Sequence, residues 1–115
     1  MATLYGIPNC ATMKKARAWL DEKQVPYTFV NFKTEAPAPE RLARWLDAVG
    51  ADVLINRKGT TWRKLSPAEQ TAADSREGTI ALMQAQPSVI KRPVLEHQGR
   101  VHIGFSPERY SEIFA

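Results

Sequence analysis

The chain has 115 residues, 43% of them hydrophobic, and a net charge of +4 from 16 Lys and Arg against 12 Asp and Glu. That length fits one domain burying roughly 65% of its unfolded surface, with a core large enough to need no disulfide or metal. A single cysteine, Cys10, excludes an internal disulfide; no apolar run nears the ~20 residues that span a bilayer, and the N-terminus lacks the basic-then-apolar order of a signal peptide, so a cytoplasmic protein is expected.

Ala2 to Ile7 alternates and is rich in strand formers, which predicts a strand ended by Pro8-Asn9. From Ala11 the period turns helical, with Met13, Ala16, Trp19 and Leu20 at three- and four-residue spacing. Pro26 disfavours helical geometry at Val25, so the helix stops before it. Tyr27 to Phe32, dense in aromatic and β-branched residues, is a second strand. Two strands joined by one helix make a βαβ unit, and its strands should be parallel.

Lys33 to Ala38 reads as a short proline-bearing loop. Pro39 opens a helix whose Leu42, Trp45, Leu46 and Val49 sit at i, i+3, i+4 and i+7, with Gly50 as its stop. Val53 to Arg57 predicts one further turn of helix, and Asn56 to Lys64 a basic loop around Trp62. Ser66-Pro67-Ala68-Glu69 is a capping box with proline at the first helical position. Another helix runs from Glu77 to Ala85. Pro93–Glu96 and Arg100–Ile103 are strand-like runs around a His97-Gln98-Gly99 turn, which predicts a hairpin. Ser106-Pro107-Glu108 then starts a closing helix with Tyr110, Ile113 and Phe114 on one face.

The order is βαβ, a helical insertion over residues 39–88, then ββα. A parallel first pair and an antiparallel last pair predict a thioredoxin-like mixed four-stranded sheet, with residues 1–115 forming one domain.

In that arrangement Cys10 lies at the start of the first helix. A helix N-terminus carries about half a positive charge and unpaired N–H groups, which favour a thiolate and lower the thiol pKa below its free value of ~8.5. Thr12 is placed to add a hydroxyl. Lys14 and Lys15 oppose the helix dipole in the first turn, and an anion there would compensate. The alternative is a packed structural cysteine flanked by two solvated lysines. No second cysteine stands nearby to resolve a disulfide, so a redox cycle needs a thiol from outside.

Arg92, before Pro93 and a strand, could offer an anion its bidentate fork or serve as an ordinary edge residue. The basic stretch around Trp62 could stack on nucleic acid, but no nucleic-acid motif accompanies it. His97 and His102 have no metal-ligand spacing to Cys10, and no metal is expected.

The whole chain resembles the arsenate reductase and Spx family. The resemblance rests on Tyr5-x-x-Pro8-x-Cys10-x-Thr12-x-Lys14-Lys15-Ala16, Leu54-Ile55-Asn56-Arg57, Lys91-Arg92-Pro93 and Gly104-Phe105-Ser106; Gly59-Thr60-Thr61-Trp62-Arg63-Lys64-Leu65 points to the YffB branch. It implies a reactive Cys10 with Arg92 beside it and Pro93 as the family's cis-proline. It differs from arsenate reductases where Gly104 replaces an arginine and Gly6 a histidine, and Arg57 matches another arginine only with a one-residue shift. Fewer arginines would hold arsenate poorly. The expected function is therefore a glutathione-dependent thiol reductase with Cys10 as nucleophile. Glutathione would be a co-substrate, with no bound cofactor, its carboxylates meeting Lys14, Arg57 or Arg92. A small or protein disulfide would be the substrate, with glutaredoxin as a further partner. The alternatives are arsenate reduction and Spx-like binding of RNA polymerase.

Overall fold

The computed structural model describes residues 2–115. Its first strand, β1 (Ala2–Gly6), is hydrogen-bonded on both sides, which is why nearly all of its residues are buried. It runs parallel to β2 (Tyr27–Asn31), with Ala2 opposite Tyr27 and Gly6 opposite Asn31. It runs antiparallel to β3 (Val94–His97), with Leu4 opposite Leu95. β3 in turn pairs antiparallel with β4 (Arg100–Ile103), giving the order β2-β1-β3-β4. This is the thioredoxin-like mixed sheet expected from the sequence.

Helix α1 (Ala11–Glu22) joins the parallel pair, and α7 (Pro107–Ile113) follows the hairpin. Met13, Ala16 and Leu20 of α1, Ala2 and Leu4 of β1, Leu95 of β3 and Tyr110 of α7 make one buried cluster. Each large apolar side chain there contributes about 1.5–3 kcal/mol through burial. The hairpin turn is Gln98-Gly99, and both residues have positive φ (52° and 75°), as a type I′ turn requires.

Two compact units emerge. One contains the sheet, built from the chain up to Phe32 and from Arg92–Ala115; the other is Lys33–Lys91. The second holds α2 (Pro39–Val49), α3 (Ala51–Leu54), α4 (Thr60–Arg63), α5 (Pro67–Ala72), α6 (Arg76–Ala85) and a 3-10 turn at Pro87–Val89. Leu42 and Trp45 of α2 and Met83 of α6 are fully buried in it. Arg76 clamps Asp47 by two 3.0 Å hydrogen bonds, joining α6 to α2. The buried hydroxyl of Thr79 lies 2.9 and 2.7 Å from the carbonyl oxygens of Ala73 and Ser75.

Several boundaries differ from those the sequence predicts. The turn expected at Val53–Arg57 lies earlier, at Ala51–Leu54, because Ile55 is extended and bridges to Ile90. The Asn56 amide donates to Val89 (2.8 Å) and the Lys91 amide to Leu54 (2.8 Å), so this segment belongs to a short ladder. The basic loop from Asn56 to Lys64 contains a helical turn, α4, closed by the Arg63 amide on Gly59 (3.2 Å) and the Lys64 amide on Thr60 (3.1 Å). β3 starts at Val94 rather than Pro93, which has no N–H to offer a ladder.

Candidate active site

Cys10 is the N-cap of α1, held in extended geometry (φ −96°, ψ 133°) after the Ile7-Pro8-Asn9 turn that leaves β1. Its carbonyl accepts the Lys14 amide at 3.0 Å, closing the first turn of the helix. No side-chain oxygen caps the helix, which leaves its first N–H groups to face the Cys10 sulfur. The thiol is half-buried.

Arg92 stands just before the sheet's third strand, and the Arg92-Pro93 peptide is cis, as the family resemblance implies. Pro93 is buried, and its carbonyl accepts the Gly104 amide at 2.9 Å. β1 and β3 are antiparallel neighbours with Tyr5 opposite Val94, so the exit of β1 and the entry of β3 lie side by side, and the Arg92 guanidinium hydrogen-bonds the Cys10 sulfur. That places Arg92 against Cys10.

Burial by itself pushes the Cys10 thiol up. It is outweighed by the Met13 amide, the Arg92 guanidinium and the Thr12 amide directed at the sulfur, together with the Arg92 charge, so the pKa lies below the ordinary thiol value. Thr12 therefore acts through its backbone. Met13, absent from the sequence-derived site, is the largest single donor. Its one sequence signal was its place three residues after the N-cap, where orphan amides sit.

The other candidates have surroundings of their own. Lys14 is exposed on the first turn of α1. Arg57 belongs to the helical unit, where its Nη1 lies 3.2 Å from Asp52 Oδ1 and its guanidinium carbon 5.4 Å from the Trp62 ring centre. His97 and His102 lie on the hairpin. Burial and the charges of Arg109, Arg100 and His97 hold His102 below its ordinary pKa. Among the described residues, no three His, Cys, Asp or Glu side chains are grouped to hold a metal ion. No helix of the described residues is long and apolar enough to cross a membrane.

A half-buried thiolate with an arginine and helix amides beside it can attack an electrophilic sulfur or oxyanion. The ArsC family matches residues 5–113. The chain is 48% identical to the YFFB (PA3664) protein, covering 100% of both chains with a TM-score of 0.93. An arsenate reductase (ArsC) related protein from Brucella melitensis is 46% identical over 98% of this chain and 93% of that one, with a TM-score of 0.76. The global transcriptional regulator Spx of Listeria innocua is 28% identical over 94% of this chain and 82% of its own.

Proposed function

Because the chain belongs to the ArsC family, we propose that it is a glutathione-dependent thiol reductase whose nucleophile is the Cys10 thiolate. The observation that carries this reading is a lone thiol whose pKa is lowered by Arg92 and by the first amides of α1. In this reading residues 1–115 act as one thioredoxin-like domain with residues 39–88 inserted into it.

The thiolate attacks one sulfur of a disulfide R–S–S–R′. The S–S bond breaks, R′–S⁻ leaves and takes a proton from solvent, and Cys10 is joined to R. With no second cysteine in the chain, the resolving electrons come from outside. One glutathione thiolate attacks the Cys10 sulfur and expels R–S⁻, and a second then releases Cys10 and leaves as glutathione disulfide. Two glutathiones supply two electrons, and the enzyme thiolate is restored. Arg92 stabilises that thiolate, and Lys14 is the further cation proposed for the glutathione carboxylates.

Arsenate fits the site less well. The arginine that arsenate reductases place after the hairpin is Gly104 here, and its φ of 82° disfavours any side chain. The likeness to Spx supports a second reading, regulation by binding RNA polymerase. A coupled glutathione turnover assay on a mixed-disulfide substrate, run beside a polymerase pulldown, separates the two. Turnover lost in Cys10→Ser is the expected result. Equal rates in both proteins, or polymerase capture without turnover, overturn the reductase reading.

A further inference from the structure

Gly6 closes β1, and its backbone is not in the left-handed region, so its glycine is not there for conformational freedom. It is there for space. A Cβ at this position would collide with the Met13 side chain, coming within 2.7 Å of Cε and 3.2 Å of Cγ as well as striking the sulfur. Met13 is fully buried and lies three residues beyond Cys10 in the first turn of α1. The methionine thus lies directly on the bare backbone at the end of β1.

We infer that Gly6 and Met13 are positioning residues for the Cys10 thiolate: packing the Met13 side chain onto the bare Gly6 backbone sets the Met13 amide against the sulfur. The inference rests on the proposed thiolate chemistry. Gly6 never touches the reacting atoms. A methyl group there must displace the Met13 side chain, and because that side chain is fully buried among packed neighbours it has no free space to turn into, so part of the displacement passes to the helical turn that carries its amide. This also accounts for the absence of a larger side chain four residues before the cysteine, since the room is already filled.

The test measures thiolate absorbance against pH for wild type, Gly6→Ala, Met13→Ala and the double variant, each blanked with its Cys10→Ser counterpart. Thermal unfolding is measured in parallel. Gly6→Ala is expected to raise the Cys10 midpoint by ~0.5 unit or more, about a threefold loss of thiolate below both midpoints. The double variant is expected to return toward wild type, because the added methyl then fills space that Met13 has vacated; such non-additivity marks direct contact. A purely structural role would lower the melting temperature and leave the midpoint in place, and that outcome overturns the inference. Should Gly6→Ala not fold, the comparison of Met13→Ala with the double variant decides, a lower midpoint in the double being expected and equal midpoints being fatal. A wild-type midpoint at or above ~8.5 overturns both this inference and the reductase reading, whereas a low wild-type midpoint unmoved by Gly6→Ala overturns this inference alone.

Discussion

At the scale of single residues, the proposed thiol chemistry depends most on Arg92. It acts on the Cys10 sulfur both as a hydrogen-bond donor and as a charge. Arg92→Ala removes both effects and is expected to raise the Cys10 midpoint while weakening glutathione binding, each pKa unit corresponding to about 1.4 kcal/mol of lost differential interaction. Arg92→Lys keeps the charge but loses the planar fork, so it should weaken binding more than it raises the midpoint. Thiolate absorbance and glutathione titration of the three proteins check this, and unchanged values for Arg92→Ala would move the site toward Lys14. Tyr110 makes the opposite case. Its hydroxyl is buried with no hydrogen-bond partner among the described residues, while its ring packs edge-on against Phe105 at 4.7 Å. An unpaired buried hydroxyl costs roughly 1–3 kcal/mol. Tyr110→Phe keeps the ring contacts and removes that penalty, so its melting temperature should equal or exceed wild type. A clear loss would reveal a partner for the hydroxyl.

At the scale of elements, the punctuation of the helices carries much of their definition. Ser66 and Glu69 cap α5 reciprocally, the Glu69 amide donating to Ser66 Oγ at 3.2 Å and the Ser66 amide to Glu69 Oε1 at 2.9 Å. Ser66→Ala should therefore lower stability by about 1 kcal/mol, read as a drop in melting temperature. Gly104→Arg should also melt lower, since an L side chain at φ 82° is strained, and that strain would offset any gain in arsenate binding. These features were legible because each is a local rule: Pro39 opens α2, Gly50 closes it, and Ser106 accepts the Arg109 amide at the start of α7. Four-residue helices are different. α4 has no side-chain cap and buries no residue, so neither period nor capping marks it, and only its backbone bonds define it. α3 was displaced from its predicted span because Ile55 answers to a partner thirty-five residues away. The candidate site divides in the same way. Cys10 stands out by its place between the first strand and the first helix, and Arg92 through the family resemblance. Met13 has only its place three residues after the N-cap to mark it, and its contact with Gly6, across the turn, follows from no local pattern.

At the scale of the whole molecule, the displaced titrations give stability a common dependence on pH. Donors around the sulfur hold Cys10 low against burial, hydrogen bonding to Arg76 holds Asp47 low, and burial holds His102 low. In all three the folded state binds fewer protons than the unfolded state between the two pKa values, so stability rises with pH through each window. For Asp47 the gain is complete above an unfolded value of ~3.9 and is lost as pH falls through the folded value; solvent exposure and salt keep it small. For His102 the penalty of protonation is present below the folded value and gone above ~6.5. For Cys10 the gain is complete above ~8.5 and is lost on descending through the lowered value. Acidification also raises the charge above the +4 of neutral pH, adding self-repulsion in the same direction. Tyr110 acts the other way: burial raises its pKa, so the folded state keeps a proton that the unfolded state loses above ~10, and stability falls there. The melting temperature should therefore peak on the alkaline side, between about pH 8.5 and 10. Melting curves from pH 5 to 11 on wild type, Cys10→Ser, His102→Gln and Tyr110→Phe resolve the contributions. Cys10→Ser should flatten the rise just below pH ~8.5, His102→Gln the rise just below ~6.5, and Tyr110→Phe the alkaline decline. A wild-type maximum below neutral pH, or a Cys10→Ser curve parallel to wild type throughout, would show that Cys10 is not held as a thiolate in the folded protein.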